Sequence, residues 1–120
     1  MGETQTTLMA ARAPFIERNR AALVDFFEDW QRATRWFLDP RNRAEALAVL
    51  ARFTRQPESV YADWAFTRRD YYRDPEVRPN LKALQSNLAV QKQLGFLKAD
   101  IDVGRYADLS LVEEAAKRAK

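Results

Sequence analysis

From Arg20 to Leu38 the chain repeats one face at helical spacing: Leu23, Phe26, Phe27, Trp30, Ala33, Thr34, Phe37 and Leu38. That is the i, i+3, i+4, i+7 stripe of a helix with one wet side. Asp25, Glu28, Asp29, Arg32 and Arg35 fall opposite, and Glu28 stands one turn ahead of Arg32 in the favourable order. Burying Phe27, Trp30 and Phe37 is worth roughly 1.5–3 kcal/mol each. Something must therefore lie against the stripe, and no single short helix covers it.

The same reading places the other elements around this helix. Met1 to Ala13 is an extended segment: Thr4, Gln5, Thr6 and Thr7 are poor helix formers, and the run into Leu8 and Met9 reads as a short strand. No second strand pattern exists in the chain to pair with it. Pro14 to Asn19 is one helical turn with Pro14 in its first-turn position, and Asn19 is placed to cap the long helix. Asp39-Pro40 stops that helix, because a residue before proline is pushed out of the α region. The segment 40–54 is a second helix with Asn42 and Glu45 at capping-box spacing, burying Ala46, Leu47, Leu50, Ala51 and Phe53. Val60, Tyr61 and Trp64 line a short third helix. Two prolines and a high charge density make 66–80 a loop. Asn80 caps a fourth helix with Leu81, Leu84, Leu88 and Gln91 on one stripe, Gly95 ends it in the left-handed conformation, and Phe96 folds back on Val90 or Gln91. After a connector over 97–109, Ser110 and Glu113 form a capping box for a final helix. The expected fold is mainly α: residues 1–120 make a single helical domain or fragment, extended over 1–13 and helical over 14–120, with about five helices and short loops.

Composition then narrows the chemistry. Neither cysteine nor histidine occurs in the 120 residues, which removes disulfides, thiolate or imidazole metal sites and His-dependent triads. Ser59, Ser86 and Ser110 have no base to activate them, and glycine is confined to Gly2, Gly95 and Gly104, so no phosphate-cradling loop is built. Asp100 and Asp102 before Gly104 suggest a calcium loop, but the twelfth position is Leu111 rather than an acid. Asp70 and Asp74 around a tyrosine pair are read as ordinary loop acids rather than a glycosidase dyad. The expectation is no enzyme, no metal and no cofactor.

Fifteen arginines against five lysines give a formal charge of +3, yet the signs alternate along the chain, which describes a solvated surface better than a nucleic-acid footprint. One local exception is Arg68, Arg69 and Arg73 interleaved with Trp64, Phe66, Tyr71 and Tyr72, a mixture able to hold a single strand. Here the reading favours aromatics anchored in the core with arginines reaching to water, since Asp70 and Asp74 lower the local charge. No apolar run approaches the ~20 residues of a membrane span. The start MGETQTTLMAARA has neither the basic-then-apolar order of a secretory signal nor a good myristoylation context.

Several words, taken together in order, resemble a known family. Leu94-Gly95-Phe96, Asp100-Ile101-Asp102 and Tyr106-Ala107-Asp108-Leu109-Ser110 follow one another as "LGF", "D-apolar-D" and "Y-x-D-L-S", leading into a last helix. Upstream, Asn19, Ala22, Pro40 and Ala44 fall where the same pattern places them. This resembles the C-terminal end of periplasmic solute-binding proteins of ABC importers, in the nitrate, taurine and aliphatic-sulfonate group. The resemblance implies a two-lobed α/β protein that takes up a small organic solute or anion and hands it to a membrane permease. This chain would be its C-terminal helical part, and Glu3 to Ala11 a strand returning through the hinge. Gln5 and Thr6, polar donors near that hinge, are the ligand-facing residues it implies. It also implies a periplasmic location. Without the sheets, Trp30, Phe37, Leu50 and Trp64 lose part of their cover, and the isolated chain is open to self-association. The competing expectation is a stand-alone helical protein-interaction module, cytoplasmic because no export signal is written in these residues.

Overall fold

The computed structural model describes Gln5 and residues 7–119. Five α-helices follow in order, α1 (Ala13–Arg18), α2 (Arg20–Leu38), α3 (Arg43–Thr54), α4 (Leu81–Gln93) and α5 (Ser110–Arg118), with 3-10 turns at Pro40–Asn42, Glu58–Val60 and Val103–Arg105. The mainly helical expectation holds, with no strand among the described residues. Gln5 and residues 7–12 are irregular instead of a strand. A lone β-segment has no ladder to complete, and none of the other described residues supplies one. The expected third helix is likewise only the 3-10 turn at Glu58–Val60 with a run of turns through Phe66, whose φ of 58° ends any helical course.

The core is one seam between α2 and α5. Val24, Leu111 and Ala115 are buried together, with Ile16, Leu23 and Phe27 packed against them. Polar ties fasten the seam along its length. Arg20 donates to the Ser110 hydroxyl at 3.1 Å and to Glu114 at 2.9 Å, while Arg118 reaches Asp25 at 3.1 Å. At the far end Arg35 donates to the Ala119 carbonyl at 2.7 Å, putting a cation at the C-terminus of α5 where the helix dipole favours it. The buried positions of α2 are therefore Val24 and Gln31, with Arg35 in the seam rather than on the wet side. Phe26, Trp30 and Ala33 lie exposed, around the helix from α5.

Helix ends show which local signals won. Asp39 stops α2 as expected, with ψ of 120°, and its carboxylate caps the next turn by accepting from the Arg41 N–H. Asn80 caps α4 through the Ala83 N–H at 2.9 Å. Gly95 at φ 82° closes the other end in a Schellman arrangement, with Phe96 N–H on the Gln91 carbonyl and Gly95 N–H on that of Lys92. The Phe96 side chain nevertheless stays exposed. Three expected caps are not formed. Asn19 and Asn42 turn their amides back to the Phe15 and Trp36 carbonyls, satisfying the helices that precede them. Ser110 lies inside the first turn of α5: Asp108 accepts its N–H, and its hydroxyl accepts from Arg20.

α3 buries Ala46, Leu47 and Ala51 but leaves Phe53 88% exposed, against expectation. On α4 only Ala83 is buried, the three leucines of its stripe being half-covered. The radius of gyration is 17.0 Å, against about 14 Å for a compact domain of this length. The helices have apolar faces that this chain does not cover.

Candidate functional site

Two surfaces carry the side chains that sequence reasoning singled out. The first is an open apolar groove of about 490 Å³ on the outward side of α2, lined by Met9, Phe26, Asp29, Trp30 and Ala33. Phe26, Phe27 and Trp30 pack ring to ring at centroid separations of 5.5–5.9 Å, so the groove has a rigid aromatic floor. Trp30 is 38% exposed and Trp64 also stands partly in solvent, while Phe37 and Leu50 are half-buried.

Gln5 lies nearby in sequence but elsewhere in space. Its Oε1 accepts the Asn80 N–H at 2.8 Å and its carbonyl accepts from the Asn87 amide at 3.0 Å, which ties the N-terminal segment to the start of α4. Its Nε2 donates to the Thr7 carbonyl. Thr6 lies outside the described residues.

The second surface is the turn-rich stretch after α3. Arg43 holds it by donating to the carbonyls of Ala62 at 2.6 Å and Ala65 at 2.7 Å. Phe66 stacks on Phe37 at 5.6 Å. At its centre is Asp70, whose side chain is 2% exposed and accepts from the Phe66 N–H, the Tyr71 N–H and the Arg73 guanidinium at 2.7–2.8 Å. Burial works to raise the Asp70 pKa. The hydrogen bonds from Arg73 and Phe66, the Arg73 charge and the Tyr71 N–H outweigh it and hold the carboxyl below its ordinary value. Arg73 in turn lies over the Tyr71 ring at 3.8 Å and the Phe66 ring at 5.3 Å. Asp74 caps the following turn, accepting the N–H of Glu76 at 2.8 Å. The expected anchoring is thus half right. Phe66 holds the loop to the body through Phe37. Trp64 instead packs on neighbouring Tyr61 and is 41% exposed, and Tyr71 and Tyr72 project into solvent, Tyr72 at 82% exposure.

Because the folded-state pKa of Asp70 is depressed, its contribution to stability is present above about pH 4 and is lost as pH falls through the folded value. Trp64 fluorescence is therefore expected to report loosening of this loop on acidification below about pH 4. Asp70→Ala orphans three donors at an expected cost of about 2 kcal/mol and abolishes that acid transition. An unaltered transition in the variant would assign it to other carboxylates, of which Asp108, bonded by Ser110, and Glu114, bonded by Arg20, are also held low.

The two acids of the calcium-like segment have local structural partners. Asp100 pairs with Lys92 and Asp102 accepts the Gly104 N–H, and no group of three or more metal-ligating side chains converges among the described residues. No described helix is long and apolar enough to cross a membrane. Sequence reasoning passed over Gln31, which is fully buried. Its Nε2 donates to the Val112 carbonyl at 2.8 Å and the Glu76 carbonyl at 3.1 Å, joining α2, α5 and the loop, while its Oε1 is buried without a protein partner. A glutamine on a helix otherwise rich in charged residues carries no pattern that would mark it as buried.

Comparison with protein-family models, curated proteins and solved structures finds no match.

Proposed function

We propose that this chain is the C-terminal helical part of a solute-binding protein serving an ABC importer, non-enzymatic, with a small organic solute or anion as cargo. The reading takes its name from the order and spacing of Leu94-Gly95-Phe96, Asp100-Ile101-Asp102 and the segment 106–110. The observation that carries it physically is uncovered apolar surface: Leu8, Met9, Phe26 and Trp30 on one side and Val90, Leu94 and Phe96 on another are all exposed. Helices that pack on the faces of a sheet have such stripes when the sheet is absent. In the intact protein, hinge closure would enclose the solute and docking to the permease would release it, in the periplasm. Gln5 and Thr6 would face the solute once the neighbouring strands reorganise the segment that Gln5 now ties to α4.

The test is the reading frame upstream of Met1 in the source genome, followed by thermal-shift titration of the longest product with alkanesulfonates, taurine and nitrate. An in-frame continuation encoding two α/β lobes, and stabilisation by one of these solutes, is the expected result. A start site with no such frame overturns the proposal. In the long product, unchanged solute affinity after Gln5→Ala with Thr6→Ala would remove those two residues from the site.

One observation favours the alternative of a stand-alone interaction module. The α2–α5 seam, with its buried centre and polar ties, closes without help from any other chain. Under that reading the uncovered faces receive protein partners or a second copy.

A further inference from the structure

The loop after α3 shows a charge separation that its sequence conceals. By composition the arginines at 68, 69 and 73 are diluted by Asp70 and Asp74. In space the acids are spent inward, Asp70 on two backbone N–H groups and Arg73, Asp74 on the Glu76 N–H. Arg68 and Arg69 are exposed, and among the described residues their side chains make no hydrogen bond or ion pair. Beside them stand Tyr71 and Tyr72, two large rings in solvent, with Arg73 pinned over Tyr71.

Tyrosine and arginine are the residues that dominate protein–protein hot spots, because they present large amphipathic area on few rotors. The Asp70 bonds also fix the backbone beneath them, which lowers the ordering cost of binding. We propose that residues 68–72 form a docking surface for a protein partner that presents carboxylates to Arg68 and Arg69 and an apolar rim to Tyr71 and Tyr72. A protein fits better than a nucleic acid. Two adjacent unpaired cations match a local acidic cluster, whereas a strand needs cations tracking its backbone. The proposal stands whether or not the chain belongs to a transport protein; only identifying the partner with the permease rests on that reading.

The experiment uses the full chain and two fluorescein-labelled probes of matched charge, an oligoglutamate peptide and an oligothymidylate, followed by anisotropy at low salt. The peptide is expected to bind, to weaken as salt is added, and to lose about tenfold in affinity in the Arg68→Ala/Arg69→Ala variant. Arg52→Ala/Arg105→Ala, which removes two exposed arginines elsewhere, is expected to leave it unchanged. Unaltered far-UV circular dichroism keeps both comparisons clean. The proposal is overturned by absence of peptide binding, by equal losses in the two variants, or by preference for the oligothymidylate.

Discussion

Leu111→Ala is expected to destabilise the protein by about 2–5 kcal/mol and to release α5 from α2. The buried apolar cluster of the seam is Val24, Leu111 and Ala115, and Leu111 is the largest of the three. Removing its side chain takes away a substantial share of the 5–15 kcal/mol that a domain of ordinary stability has. The polar ties of the seam do not compensate. Arg20, Glu114, Asp25 and Arg118 are all partly exposed, and exposed ion pairs contribute only about 0–1 kcal/mol each. Urea denaturation followed by circular dichroism reads the loss directly. A change below about 1 kcal/mol, the scale of an ordinary surface substitution, would mean that α5 does not depend on this contact.

Gln31→Glu is expected to convert the buried tie into a pH-dependent fault. The parent amide sits at 0% exposure with Nε2 facing two carbonyl oxygens. A carboxylate there would be desolvated and repelled by both, so the variant's folded-state pKa rises above the unfolded value of about 4.3. A raised carboxyl pKa leaves the protonated, tolerable form present at low pH and withdraws stability as pH climbs past the unfolded value. Between about pH 4 and 7 the variant should lose about 3–4 kcal/mol relative to the parent measured at the same pH. At pH 4 a single proton donated to one carbonyl replaces two amide bonds, a residual cost of about 1 kcal/mol. A parent–variant difference independent of pH would show that position 31 reaches water.

Much of the fold was legible. Period-3.6 stripes located α2, α3 and α4, α5 was placed by a capping-box spacing at Ser110 and Glu113 that its first turn does not use, and the stops at Asp39-Pro40 and Gly95 act by the mechanisms their residue types suggest. The face of α2 was misread for a specific reason. Its aromatics lie at Phe26, Phe27, Trp30 and Phe37, so hydrophobicity alone pointed the helix towards them. The seam instead runs through Val24, Gln31 and Arg35, where α5 presents Ala115 and the carbonyls of Val112 and Ala119, which Gln31 and Arg35 bond. Caps were misread at Asn19 and Asn42 because each asparagine also follows a helix, and the amide served the preceding carbonyl. The surface on which Arg68 and Arg69 stand was not legible, since Asp70 turns inward onto the N–H of Phe66, a residue whose positive φ its type does not announce.

The ties across the seam join residues 81, 84, 90, 93 and 94 positions apart. A loop of that length costs only slowly more to close than a shorter one, but none of the closure entropy is repaid until both ends are present. On the ribosome, α2 emerges well before α5 and exposes Val24, Leu23 and Phe27 while some eighty further residues are added, about 4–16 s at common synthesis rates. During that interval the nascent helix lacks α5, the native cover of its seam. Chaperone demand and aggregation should therefore track the time taken to synthesise α5, not the stability of the finished protein.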